Sequence, residues 1–267
     1  MGGHQGGDFA SRLAVETVRE EILKGGEVES SARKLLEGDP ALRYAWVRPP
    51  GAPPKRPAPE MMVTLPPSGG MLQTDPVIPT PPAPAATVLR AAARVAGRAI
   101  FDAGQRDAGL HGMGTTLTAL FLHGGRAHLA HVGDSRGFLF RGGRIEQITE
   151  DHSWIAEQIR AGAMSEEEAK GSRFKHIITR SVGFEREVDV DLIGLPIEAG
   201  DCFVLCSDGC SNFIDKEELG RIMATTYYRR VPQLLVDLAN DRGGDDNITA
   251  VVVVAANEAR AKPPVDE

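Results

Sequence analysis

The sequence predicts an α+β fold, on three observations. Two stripes of apolar residues at helical spacing lie in the N-terminal part of the chain, around Leu13 to Ile22 and Leu89 to Ile100. From Gly114 to Ile148 short apolar runs alternate with tight glycine turns, the pattern of an antiparallel meander. Further on, Cys202-Phe203-Val204-Leu205-Cys206 is apolar at every position, so both faces of that strand are covered. Val251-Val252-Val253-Val254 is a second buried strand made of β-branched residues.

With 267 residues, 42% of them hydrophobic and 25% charged, the composition is that of an ordinary globular protein. The expected organisation is one domain over residues 1–267. The net charge of -7 argues against a nucleic-acid-binding surface. No apolar run is long enough to span a membrane, and the first residues lack a basic region followed by an apolar core, so a cytoplasmic location is expected.

In chain order, Met1 to Gly7 is dense in glycine and reads either as a loop that could hold an anion or as a disordered tail. Asp8 is placed to cap a helix with Leu13, Ala14, Thr17, Val18 and Ile22 on one side, and Gly25-Gly26 ends it. Thirteen of the chain's 18 prolines fall between Pro49 and Pro84, so an extended Pro-rich insertion is expected at about 38–86. It reads as a spacer, or as a segment that recruits partner modules. A second helix follows over Thr87 to Arg106, with Arg90, Arg94, Arg98 and Arg106 on its solvated face.

The meander begins with Leu117 to Leu122, turns at His123-Gly124-Gly125 and returns over Arg126 to Val132. Gly133-Asp134-Ser135-Arg136 is the next turn, Phe138-Leu139-Phe140 the third strand, and Arg141-Gly142-Gly143-Arg144 leads into a fourth. The mixed parity of His111, His123, His128 and His131 assigns them to ordinary loop and strand positions. A helical region runs from Thr149 to about Ala161, with Asp151 as a candidate cap, and Gly162 to Lys175 is a polar, exposed segment. Val188 to Ile193 is a half-buried strand and Pro196 to Gly200 a turn. Helices follow at Asp215 to Met223 and after Pro232, and the tail after Ala256 is frayed.

The three cysteines, Cys202, Cys206 and Cys210, read as small hydrophobes rather than metal ligands. Carboxylates are the better candidates. Asp208 stands at the exit of a buried strand, Asp246 just before another, and Asp151 at a loop-to-helix junction. A carboxylate at the edge of a buried strand is costly unless paired. Carboxylates converging from separate strands make an oxygen site for a hard divalent ion such as Mg²⁺ or Mn²⁺.

These residues stand in motifs that resemble the metal-dependent Ser/Thr protein phosphatases of the 2C type, in their bacterial form. In order they are Met-Gly-Gly-His at 1–4, Gly-Thr-Thr at 114–116, Gly-Asp-Ser-Arg at 133–136, Thr-Glu-Asp-His-Ser at 149–153, Ile-Thr-Arg-Ser-Val-Gly at 178–183, Ser-Asp-Gly at 207–209 and Asp-Asp-Asn-Ile-Thr at 245–249. The resemblance implies a four-layer αββα sandwich of two antiparallel sheets flanked by helices. It implies two divalent ions, Mn²⁺ or Mg²⁺, with a weaker third site, and phosphorylated proteins made by Ser/Thr kinases as substrates. It matches Asp208 and Asp246 to ligands of the metal centre and Asp151 to the third site. Gly2, Gly3, His4, Asp134, Arg136, Gly209 and Asn247 fall on the neighbouring loops, and residues 162–175 on a flap.

The sequence departs from the family at one point. Bacterial members carry Asp-Gly directly before Met-Gly-Gly-His, and further upstream a strand with a phosphate-binding Arg and a Glu-Asp pair; this sequence begins at the Met. Without those residues, severely weakened metal binding, little or no Mn²⁺-dependent activity of the sequence as it stands, and an exposed sheet edge are expected. Either the start codon is assigned inside the motif, or the chain is a phosphatase-like module that binds without hydrolysing. Both readings need Asp208 and Asp246 to meet at one end of the β core.

Overall fold

The computed structural model describes residues 6–24, 84–172, 174, 177–244 and 246–255. Met1 to His4, the helix-ending Gly25-Gly26, nearly all of the Pro-rich stretch, Asp245 and the tail lie outside the described residues.

Helices α1 (Gly7–Lys24) and α2 (Pro84–Arg106) come first. The strands are β1 (Leu117–His123), β2 (Arg126–Val132), β3 (Arg136–Arg141), β4 (Arg144–Gln147), β5 (Asp191–Pro196), β6 (Cys202–Cys206) and β7 (Ala250–Val254). Short helices α3 (Trp154–Arg160) and α4 (Glu166–Lys170) lie between β4 and β5. A single turn, α5 (Asp208–Ser211), and helices α6 (Lys216–Thr225) and α7 (Val231–Asp241) lie between β6 and β7.

All strand pairs are antiparallel, and they form a three-stranded sheet in the order β1-β2-β5 and a four-stranded sheet in the order β4-β3-β6-β7. Side-chain parity explains the layering. In β6, Cys202, Val204 and Cys206 pack with Leu219, Met223, Leu235 and Val236 of α6 and α7, while Phe203 points the other way, to Leu129 of β2 and Val253 of β7. In β2, Ala127 and Leu129 face the second sheet, and Ala130 and Val132 face Ala14, Val18, Ala93 and Ala96 of α1 and α2. Each sheet is thus apolar on both faces, which two covering layers of helix require. The result is the expected αββα sandwich. Full burial of a side chain such as Phe203, 1% exposed, contributes about 1.5–3 kcal/mol.

Several local expectations change. Asp8 lies within the first turn of α1 rather than capping it, and its carbonyl accepts from Ser11 and Arg12. Helix α2 starts at Pro84, three residues before the expected Thr87, because proline fits a first helical turn. Arg90 is not simply solvated, since its Nε is buried and meets no hydrogen-bond partner among the described residues. Ser153, not Asp151, caps α3 by accepting from Ala156. Within the expected exposed segment, Ser165 and Glu168 form a reciprocal capping box that starts α4. Val188 and Val190 are buried but precede β5, which extends through Pro196. The β1–β2 hairpin turns where expected but over two residues, Gly124 at φ 58° and Gly125 at φ 72°, with His123 paired in β1.

Candidate metal centre

One end of the sandwich gathers the end of β2, the starts of β3, β5 and β7, and the end of β6. Ser207 joins two of these. Its backbone N–H donates to the Thr249 carbonyl (3.0 Å), its hydroxyl donates to the Asn247 carbonyl (3.1 Å), and the same oxygen accepts from the Thr249 N–H (3.0 Å). The segment after β6 and the segment before β7 are therefore held side by side. Asp208 opens α5, with Oδ1 accepting from the Gly209 N–H at 2.8 Å. Asp246 Oδ1 accepts from the Asn247 N–H at 2.7 Å.

Gly209 is the point of closest approach. A Cβ there would lie 2.5 Å from the Asn247 carbonyl oxygen and 3.5 Å from Asp246 Cβ. Asp208 and Asp246, far apart in the chain, thus stand on adjoining backbones. Gly209→Ala forces the two segments apart and is expected to destabilise the protein by about 1–3 kcal/mol. It should also weaken Mn²⁺ binding, since Asp246 moves with Asn247. Thermal melting and calorimetric titration of the variant check both.

Asp134 joins from the β2–β3 turn. Burial, the charge of Asp208 and the charge of Asp151 push its carboxyl up to about 6, against the opposing pull of Arg136. The turn needs Gly133, at φ 111°, where a side chain would run into Thr116. Asp151 is engaged differently. Arg136 donates from Nε (2.9 Å) and Nη2 (2.7 Å) to Asp151 Oδ2, and Gln147 donates to Oδ1 at 2.9 Å. Sequence reasoning placed Asp134 only on a neighbouring loop. The signal that singles it out is the one that singles out Asp208: a carboxylate directly after a buried strand, next to a glycine.

Crowded carboxylates repel one another unless a cation sits among them. All their donor atoms are oxygens, which suits Mg²⁺ or Mn²⁺. The donor set therefore fits a hard divalent ion. Among the described residues no three His, Cys, Asp or Glu side chains form a complete ligand group. Gly2, Gly3 and His4 lie outside those residues.

Two histidines lie beneath the acidic end, and sequence reasoning missed the role of both. His131, fully buried, meets the Thr118 hydroxyl through Nδ1 (3.0 Å) and the Glu150 carbonyl through Nε2 (2.9 Å). Burial, then the neighbouring His152, hold its pKa below the ordinary histidine range. It is the strand position expected, and it also holds the Glu150 carbonyl of the following loop. Strand parity shows which face a residue takes but not that the face closes over it at the sandwich end.

The acidic residues thus gather at one mouth of a two-sheet, helix-flanked sandwich. The family model for protein phosphatase 2C matches residues 1–237, and the chain belongs to that family. The serine/threonine phosphatase stp of Listeria monocytogenes is 38% identical over 145 residues, covering 54% of this chain and 58% of the relative. The chain thus spans less than two thirds of that curated relative's length. A Streptococcus agalactiae serine/threonine phosphatase structure matches with TM-score 0.68 and 29% identity, covering 95% of this chain and 84% of that one. The catalytic domain of the serine/threonine protein phosphatase PstP, solved with two manganese ions, matches with TM-score 0.65 and 28% identity, covering 95% and 84%.

Proposed function

We propose that this protein hydrolyses phosphoserine and phosphothreonine on proteins phosphorylated by Ser/Thr kinases, with Mn²⁺ or Mg²⁺ as cofactor. The observation that carries the reading is that Asp208 lies beside Asp134 and on a backbone adjoining that of Asp246, at one end of the sandwich. Family membership and the two manganese ions of PstP support it. Asp208 and Asp246 would hold the metal centre. Asp134, facing Asp208, is better placed than Asp151 to share a third ion, because Arg136 and Gln147 already hold the Asp151 carboxylate; Asp151 would join only by giving up those bonds. When bound, such ions polarise the phosphoryl oxygens and make water nucleophilic near neutral pH.

The protein's own groups do the positioning. Ser207 fixes the spacing of the segments that carry Asp208 and Asp246. The Arg136–Asp151 pair braces the start of β3 beside Asp134. A thiol nucleophile does not fit: a hydrogen bond to Cys210, with burial, holds the Cys206 thiol well above its ordinary range. Gly2, Gly3, His4 and Asn247 are proposed to border the site. The Pro-rich insertion is proposed as a partner-binding segment. No helix among the described residues is long and apolar enough to cross a membrane. Buried cysteines present as thiols suit the cytoplasmic setting that we propose.

The test is hydrolysis of a phosphothreonine peptide by the full-length protein. Turnover that needs Mn²⁺, stops with chelator and is lost in Asp246→Asn is the expected result. Turnover indifferent to chelator, or Mn²⁺ affinity unchanged by Asp246→Asn, overturns the assignment.

A further inference from the structure

The loop that carries Asp134 and the neck of the segment from 154 to 177 share one buried side chain, His152, which is 3% exposed. Its backbone N–H donates to the Gly133 carbonyl at 2.8 Å, and its carbonyl accepts from the Thr179 N–H at 2.9 Å. Its ring makes two more bonds. Nδ1 accepts from the Gly133 N–H at 3.0 Å, and Nε2 meets Asp191 Oδ2 at 2.9 Å. Because an amide can only donate, Nδ1 must be the bare nitrogen and Nε2 the one that carries hydrogen and donates to Asp191. Asp191 Oδ1 in turn accepts from Arg180 at 2.6 Å. Arg180 directly follows the strand-like pairing that closes the segment, where Ser153 bridges Ile178 and the Trp154 N–H donates to the Ile177 carbonyl at 2.9 Å. The His131 ring lies 4.9 Å away and restricts the space in which His152 can turn.

We propose that His152 is a positioning residue that couples the neck of the 154–177 segment to the Gly133–Asp134 turn, through the chain Arg180–Asp191–His152–Gly133. The proposal rests on the reading of Asp134 as a cation ligand. The ring nitrogen satisfies the amide of Gly133, which would otherwise lack a partner in this buried turn, and so ties the turn to the ring. Asp191 sets the ring plane. A shift of the segment's neck moves Arg180 and Asp191, rotates the ring and changes how Gly133 presents Asp134. Residues from opposite sides of the site thereby respond together. Groups that orient ligands in this way typically change metal affinity by about 10–100-fold when removed.

The experiment combines Mn²⁺ titration calorimetry with amide hydrogen exchange on the full-length protein. His152→Ala is expected to weaken Mn²⁺ binding about tenfold. It should also speed exchange at the Gly133 and Thr179 amides together. His152→Asn separates the two arms. Its side-chain oxygen can replace Nδ1 as the acceptor for Gly133, but it is too short to reach Asp191. Mn²⁺ affinity and Gly133 protection should recover, while Thr179 stays fast. A fall in melting temperature with unchanged Mn²⁺ affinity and unchanged exchange at both amides overturns the proposal. If His152→Ala does not fold, Asp191→Ala, at a side chain 42% exposed, reads the same coupling. Faster exchange at Gly133 supports it, and no change there overturns it. Should the wild-type protein bind no Mn²⁺, the functional reading fails, and amide exchange alone decides the coupling.

Discussion

Asp208→Asn is expected to cut Mn²⁺-dependent turnover of a phosphothreonine peptide by about three orders of magnitude, the rate equivalent of several kcal/mol of lost electrostatic stabilisation. The substitution keeps the size of the side chain and the amide-type oxygen that accepts from Gly209. Turn α5 should therefore persist, and the loss should appear in chemistry rather than in folding. The charge removed is the one that, after burial, does most to raise Asp134 toward 6. The Asp134 carboxyl should accordingly titrate lower in the metal-free variant, a shift readable by NMR. Retained Mn²⁺ affinity and turnover would show that Asp208 only supports the turn through its bond to the Gly209 N–H.

Arg141→Met is expected to cost about 3–5 kcal/mol of stability, with little direct effect on metal binding, because it leaves a buried carboxylate without its partner. Asp201 is 1% exposed. Arg141 Nε donates to Asp201 Oδ1 at 2.7 Å and Nη2 to Oδ2 at 2.5 Å. The guanidinium also holds Glu198 at 3.0 Å and the Pro196 carbonyl at 2.8 Å. The pair pins the β5–β6 connection to the end of β3, at the opposite end of the sandwich from the acidic residues. The double variant Arg141→Met, Asp201→Leu removes both charges and should recover most of the loss. Chemical denaturation of the two variants separates these outcomes. A single variant as stable as the wild type would show that Asp201 is satisfied by the Glu198 N–H alone, at 2.8 Å.

Much of this fold is legible in the sequence because the strongest signals are local. Cys202 to Cys206 is apolar on both faces, and the structure puts it at the centre of a sheet between β3 and β7. The glycine pairs after His123 and Arg141 form the tight turns that their spacing requires. The acidic positions Asp208 and Asp246 were visible as carboxylates beside buried strands, and they do stand on adjoining backbones. What stayed hidden depends on partners distant in sequence. Asp151 reads as a helix cap or an ion ligand, yet its oxygens are held by Arg136 and Gln147. Asp134 looks like a turn residue until the end of β6 brings Asp208 beside it. His131 and His152 look like ordinary polar positions, since nothing local shows that the sandwich closes over them. Helix α4 is a different case. Its Ser165-to-Glu168 spacing is a recognisable start signal, masked by the acidic run that made the segment look like loop.

The hydroxyl of Ser207, which ties the exit from one central strand to the approach to another, has a kinetic corollary. Its partners at 247 and 249 arrive only after helices α6 and α7 have been laid down between them. No early fragment of the chain can present the paired acidic groups. Under the proposed reading, ion capture would belong to the last stage of assembly, with the cation a latch on the finished sandwich rather than a seed for it.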